Sequence, residues 1–348
     1  MKAFSEFKIL NHLGRIQAIL RGETPLPVTV EIDPTDACNH NCFWCIDRHL
    51  RRGKPAAMAP ETLFDLVDEL ARLGVGAVTI KGGGEPLVHP AIDELLLRLK
   101  GAGIECGIIT NGELLLDHLE TAASCCTWVR VSLAAASAAV HQRIHRPASP
   151  EAFAKTLEGI RASAQRVFTG VVMVVGKENL AEIGPAAEQA KALGARYIAF
   201  KQAVAPQEDL SPEMLMAMDE SYHRVKARLE DGSFHVLGSR VYHFLRLGPP
   251  RPYDLCKAHH LVGIVCADGG VYACCSTRGD PRFCFGSLHE SSFGEIWRSP
   301  RRREVLQRID QGVCRSICLG RTSYMRYDHY NDCIEYLASP DKPHGKFL

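Results

Sequence analysis

Three cysteines stand close together near the start of the chain, in Glu31-Ile-Asp-Pro-Thr-Asp-Ala-Cys38-Asn-His-Asn-Cys42-Phe-Trp-Cys45. Three residues separate the first pair and two the second. A loop this short can place three thiolates around one iron–sulfur cube and leave the fourth iron without a protein ligand. Thiolates are the usual holders of such clusters, and an open metal position is where chemistry occurs. Two blander readings compete. Cysteines are often small buried hydrophobes. A zinc site would need a fourth Cys or His at short spacing, and His40 sits within the loop at an awkward register.

A second chemical stretch is Lys81-Gly-Gly-Gly84-Glu85-Pro86, where glycines allow close backbone approach and a carboxylate follows them. A third is the C-terminal run of cysteines. Of fourteen in the chain, eight fall between Cys256 and Cys333, and only Cys106, Cys125 and Cys126 lie between the two clusters. In a chain without a secretory signal, such segregation points to metal or redox work rather than disulfides. Met1-Lys-Ala-Phe-Ser-Glu-Phe-Lys has no apolar core after its charge, and no apolar run is long enough to cross a bilayer, so a cytoplasmic protein is expected. The chain has 348 residues, 46% of them hydrophobic and 23% charged, with a net charge of +1. That balance suggests no nucleic-acid or membrane surface.

The elements that must position these residues can be read in order. Residues 3–21 predict an amphipathic helix stopped by Gly22. Val28–Ile32 is a β-run that feeds the cysteine loop. Helices are then expected at 60–73, 91–100, 113–122, onward to about 165, and at 180–193. They alternate with strands at 77–80, 104–109, 128–133, 170–175 and 197–200. Six strands alternating with helices give a parallel sheet with right-handed crossovers. The strands read as apolar throughout, as when both faces are covered. The fold class is thus α/β, an open or partial (β/α)6 barrel, followed by a small Cys-rich domain with a β-hairpin and helices. Ligands in such folds sit at the carboxyl ends of the strands. Asn111, Ser132, Asn179 and Lys201 fall at or beyond such ends, and Arg143 lies further on. A helix at 212–229 and a strand-like run near Phe234–Leu237 lead into a proline-rich connector ending at Pro252. Asp268-Gly269 between two apolar runs marks a hairpin turn, with Cys256 and Cys274 on either side. The expected units are an N-terminal helical extension (1–27), a core (28–205), a helical bridge (206–252) and a Cys-rich module (253–348).

The cysteine triplet, the Gly83-Gly84-Glu85-Pro86 element and the six β/α units together resemble the radical S-adenosylmethionine (SAM) family. The resemblance implies that Cys38, Cys42 and Cys45 hold a 4Fe–4S cluster whose open iron takes the amino and carboxylate groups of SAM. Reductive cleavage then yields a 5′-deoxyadenosyl radical that removes a hydrogen atom from the substrate. It also implies that Gly83, Gly84 and Glu85 cradle the SAM amino group, and that Ser132 and a downstream basic residue such as Arg143 hold its ribose and carboxylate. Asn111, Asn179 and Lys201 complete the expected pocket. Many relatives carry an Asp two residues after this Ser, where this chain has Ala134.

The C-terminal pattern is similar to the SPASM and "twitch" auxiliary-cluster modules: a Cys, a glycine-marked hairpin, a Cys five residues after that Gly, and a later close pair. This implies one auxiliary 4Fe–4S cluster on Cys256, Cys274, Cys314 and Cys318, with Cys333 able to replace one of them and structural zinc as the rival. Cys266 is expected to be packing, and Cys275 and Cys284 packing or spare thiols near the site.

By the same resemblance, the expected substrate is a small polar molecule (a sugar, sugar-acid nucleoside or aminocyclitol in antibiotic biosynthesis). Abstraction of a carbinol hydrogen would lead to decarboxylation or dehydrogenation, with epimerisation or dehydration as variants. A flavodoxin- or ferredoxin-like reductant is expected. Peptide modification is the alternative, weakened in this reading by the absence of a peptide-binding domain before residue 28. A zinc-binding interaction protein is the alternative outside the enzymes.

Overall fold

The computed structural model describes residues 6–51, 53–203, 210–238, 256–309 and 326–338. One ten-stranded sheet runs through them in the order β10-β9-β8-β1-β2-β3-β4-β5-β6-β7. Its first seven strands in chain order, all parallel, are β1 (Thr29–Ile32), β2 (Ala77–Ile80), β3 (Glu105–Thr110), β4 (Cys126–Ser132), β5 (Phe168–Val175), β6 (Tyr197–Gln202) and β7 (His235–Leu237). This is the partial barrel expected from the β/α rhythm, with the strand-like run near residue 234 added as a seventh strand.

The crossover helices cover the outer face. In α2 (Pro60–Arg72), Pro60 supplies the preset first turn, and Leu63, Leu66, Val67 and Leu70 recur on one buried face. The others are α3 (Ile92–Gly101), α4 (Leu119–Cys125), α5 (Ala138–His145), α6 (Ala152–Ala164), α7 (Ile183–Ala192) and α8 (Pro212–Leu229). The N-terminal segment begins as a 3-10 turn and becomes helical as α1 (Leu13–Leu20).

Two expectations need correction. The strands are not apolar on both faces. In β1, β2 and β4 buried residues alternate with half-buried ones. Val30, Ile32, Val78, Ile80, Val129 and Val131 belong to the main core. Glu31, Arg130 and Ser132 instead face a cavity inside the barrel, so only one face is packed by helices. The helix expected from Glu113 begins only at Leu119. Gly112 has φ 84°, and the residues around it are committed to the cysteine loop.

The C-terminal module extends the same sheet. β8 (Val262–Val265) pairs in parallel with β1, Thr29 opposite Val262. β9 (Gly270–Tyr272) and β10 (Cys284–Ser287) continue antiparallel. The Asp268-Gly269 turn forms as expected, with Gly269 at φ 77° and Asp268 accepting from the Gly270 N–H and the Tyr272 hydroxyl. Helix α9 (Phe293–Arg298) carries a Ser292/Glu295 capping box, and its first two N–H groups donate to Glu69 of α2. Trp297 is fully buried, stacks on Phe293 and bonds the Pro25 carbonyl. α10 (Pro300–Ile309) and α11 (Arg326–Ala338) follow. No helix among the described residues is long and apolar enough to cross a membrane.

Candidate active site

The cysteine loop leaves the carboxyl end of β1 and is gripped from three sides. Backbone bonds tie Asp36 to Ala56, and the Pro34 carbonyl to Met58. The glycine loop donates from Gly84 N to the Thr35 carbonyl and from Glu85 N to that of Ala37. The end of α5 accepts from Asn41 N at the His145 carbonyl and from Phe43 N at that of Ile144. Trp44 packs with Ala134, Ile144 and Ala203, fastening the loop to the far strand ends.

Cys38, Cys42 and Cys45 all line one cavity of about 460 Å³, and none is in a disulfide. Each sulfur has a nitrogen neighbour: His40 N at 3.4 Å from Cys38, Arg51 Nη2 at 3.1 Å from Cys45, and His145 Nδ1 at 3.5 Å from Cys42. Burial pushes the Cys38 thiol up to about 11 and the Cys42 thiol up to about 12, and each thiolate opposes the others. A positive metal centre reverses that penalty, because a coordinating thiol is deprotonated outright. Three convergent thiols with sulfur-directed donors, open on one side to a cavity, fit a cluster with three protein ligands and one exposed iron.

Gly83, Gly84, Glu85, Asn111, Ser132 and Lys201 line the same cavity. The glycines are required by a closer neighbour than a ligand. A Cβ on Gly84 would sit 2.0 Å from the Ala37 carbonyl oxygen, and one on Gly83 2.2 Å from Asp36 Oδ1. They let two loops touch. Glu85 is buried and accepts from the Thr110 hydroxyl at 2.6 Å, Asn111 N at 2.6 Å and Leu87 N at 3.1 Å. Burial outweighs those bonds and raises its carboxyl to about 7. Glu85 therefore braces the strand ends with most of its lone pairs. Asn111 likewise donates to Asn39 Oδ1 at 2.7 Å.

Two of the expected residues lie elsewhere. Arg143 projects outward and pairs with Glu178 at 2.8 Å. Asn179 is buried, but its amide is spent on the backbone of Ala134, Val174 and Gly176, at 2.7–2.8 Å. It knits the ends of β4 and β5 together.

The structure adds residues that local spacing did not reveal. Glu113 Oε2 accepts from Asn39 Nδ2 and pairs with His40 Nε2, both at 2.8 Å. Glu31 and Lys81 form an ion pair on the cavity wall. Arg278, from the C-terminal module, enters the cavity and bonds buried Asp33 at 3.0 Å and Asp47 at 3.4 Å. Arg130, after two apolar positions on β4, is also in the lining. Charged residues inside an otherwise apolar strand were the only available signal.

Among the auxiliary cysteines, Cys256 accepts from Asn331 Nδ2 at 3.5 Å, and Cys274 precedes a 3-10 turn. Cys314 and Cys318 lie outside the described residues. Cys333 belongs to an apolar cluster with Ile9 and Ile334. Cys266 is buried, and Cys284 donates to the Gly286 carbonyl. Cys275 reaches the cavity, where a hydrogen bond with Cys274 and the nearby Lys81 lower its thiol to about 6 against the effect of burial.

Comparison with known proteins follows the same division. Residues 32–190 match the radical SAM superfamily, and residues 256–319 match SPASM, an iron–sulfur cluster-binding domain. The mycofactocin maturase MftC of Mycobacterium tuberculosis is 26% identical over 328 residues, which is 91% of this chain and 80% of that protein. The AdoMet-dependent heme synthase of Methanosarcina barkeri is 25% identical over 322 residues, 85% of this chain and 91% of that one. Streptococcus suis SuiB bound to precursor peptide SuiA superposes with a TM-score of 0.67 at 15% identity, covering 86% of this chain and 71% of that one. The anSMEcpe structure with bound AdoMet gives 0.63 at 16%, covering 90% and 96%. The likeness to a maturase runs against the expectation of a sugar, nucleoside or aminocyclitol substrate. The cofactors are SAM, a 4Fe–4S cluster and auxiliary iron–sulfur in the C-terminal domain. This chain is a radical SAM enzyme with a C-terminal SPASM domain.

Proposed function

We propose that this enzyme is a maturase acting on a peptide. The observation that carries the reading is the likeness to the mycofactocin maturase along nine-tenths of the chain, core and C-terminal domain alike. The small-molecule reading is corrected by it.

On this proposal Cys38, Cys42 and Cys45 hold the core cluster, and Gly83, Gly84, Glu85, Asn111, Ser132 and Lys201 surround SAM. Cys256, Cys274, Cys314 and Cys318 are the auxiliary ligands proposed. The core would span residues 28–205 and the auxiliary module 253–348. Together the cofactors supply one-electron cleavage of SAM and hydrogen-atom abstraction. The chain supplies the geometry. The Arg278–Asp33–Asp47 contacts tie the C-terminal module to the cavity wall where the two parts meet. Lys201, Arg130 and the Glu31–Lys81 pair give that cavity polar groups to orient a bound carboxylate or amide. A flavodoxin- or ferredoxin-like protein is the proposed electron donor.

The test is an anaerobic reaction of cluster-reconstituted protein with dithionite and SAM. Peptides encoded by short reading frames next to the gene are compared with aminocyclitols, uronic-acid nucleosides and tetrapyrroles. Peptide-dependent 5′-deoxyadenosine and a changed peptide mass are expected. Deoxyadenosine formed only with a small molecule or a tetrapyrrole overturns the proposal.

A further inference from the structure

His145 is fixed twice over. Its carbonyl accepts from Asn41 N and the preceding carbonyl from Phe43 N, so the residues flanking Cys42 are tied to the end of α5. Its ring is also held. Nε2 lies 2.9 Å from the Ala134 N–H. A backbone amide can only donate, so Nε2 carries no proton, and the single proton of the neutral ring is on Nδ1. Nδ1 is 3.5 Å from Cys42 Sγ, within the range of an N–H···S bond. The ring is buried and stacks on His141 with centroids 4.6 Å apart.

We propose that His145 is a positioning residue that donates an N–H···S hydrogen bond to Cys42 and thereby raises the reduction potential of the cluster on the cysteine triplet. This rests on the triplet being the cluster site. A reduced cluster carries one more negative charge than an oxidised one. A donor aimed at a ligating sulfur stabilises the reduced state more, and such bonds are among the groups that set cluster potentials. The donors on Cys38 and Cys45 come from residues of the same loop or just beyond it, whereas His145 reaches in from a separate helix. It can be changed without altering the sequence of the loop itself. The rival is ligation: His40, Cys42 and His145 can each bring a donor atom within 4.8 Å of the others, a spacing that zinc would accept.

The experiment compares wild type with His145→Asn, whose amide nitrogen can take the place of Nδ1, and His145→Phe, which has no donor. Iron and zinc are counted after reconstitution. The reduced cluster whose electron paramagnetic resonance signal changes on adding SAM is followed through a redox titration. In His145→Phe, with its iron retained, the equilibrium constant for one-electron reduction is expected to fall about threefold to tenfold, tenfold being ~59 mV. His145→Asn is expected to stay near wild type. In wild type labelled with histidine carrying ¹⁵N only at Nδ1, which leaves the His40 backbone amide on Cys38 silent, the same signal should show a weak nitrogen coupling, a measurement that does not depend on either variant folding. An unchanged potential in iron-replete His145→Phe, absence of the coupling, or a coupling of directly bonded strength overturns the proposal, as does loss of a bound zinc in both variants. If the wild type has no SAM-responsive signal, the triplet assignment itself falls and takes the proposal with it.

Discussion

Gly83 and Gly84 are neighbours in sequence but meet different things. A methyl group on Gly84 would strike the Ala37 carbonyl, which is backbone and cannot swing aside, whereas one on Gly83 would strike the side chain of Asp36. Gly84→Ala should therefore cost more than Gly83→Ala. About 1–3 kcal/mol of overpacking, concentrated in the cysteine loop, is expected for the former. Urea unfolding and iron retention of the two variants check the order. Glu85 gives a pH prediction. Its carboxyl is raised from 4.5 to about 7, so the folded state binds this proton more tightly than the unfolded chain. The penalty is absent below about pH 4.5 and grows to about pH 7, where it totals ~3 kcal/mol. Glu85→Gln should lack that decline, so the stability gap between variant and wild-type apoprotein should change between pH 4.5 and 7. A gap that stays constant counts against the buried ionisation. At this scale the contiguous motifs were legible in the sequence, because a loop's spacing is itself geometry. Glu113, His145 and Arg278 were not. Their partners lie 73, 103 and 245 residues away along the chain.

Element positions were legible where hydrophobic periodicity decides them. Strand β2 and helix α8 lie where the pattern put them. The pattern misjudged strands β1, β2 and β4, whose inner faces meet a polar cavity rather than a second apolar layer. It also put the start of α4 too early, because Asn111 and Glu113 are taken up by the cysteine loop instead of a helical first turn. Between elements, two polar contacts add to the β1–β8 pairing in docking the C-terminal module. Glu69 of α2 accepts two N–H groups from the start of α9, each at 2.8 Å. Glu69→Ala leaves both donors short of a partner and should cost about 1–3 kcal/mol in thermal or urea unfolding. Arg278 faces the fully buried Asp33. Arg278→Ala strands that carboxylate and should cost about 3–5 kcal/mol, and adding Asp33→Asn should recover part of the loss. Additive costs in the double-mutant cycle would mean that the pair is not coupled.

Taken whole, the protein is one sheet rather than a barrel with an appendage. Strand β1, which delivers the cysteine loop, is interior only because β8 of the SPASM domain pairs along it. Removing everything after residue 255 should leave β1 as a bare edge, with its N–H and C=O groups open to other chains. Such a truncated protein should aggregate or lose its core iron, as size-exclusion chromatography with iron analysis would read. The same pairing has a consequence in time. A strand near residue 29 waits for one near residue 262. At ordinary translation speeds of ~5–20 residues per second, the cysteine triplet leaves the ribosome roughly ten to fifty seconds before its neighbouring strand exists. The N-terminal thiols are thus made early, and the strand that leads into them is paired on both sides only once the other end of the chain has arrived.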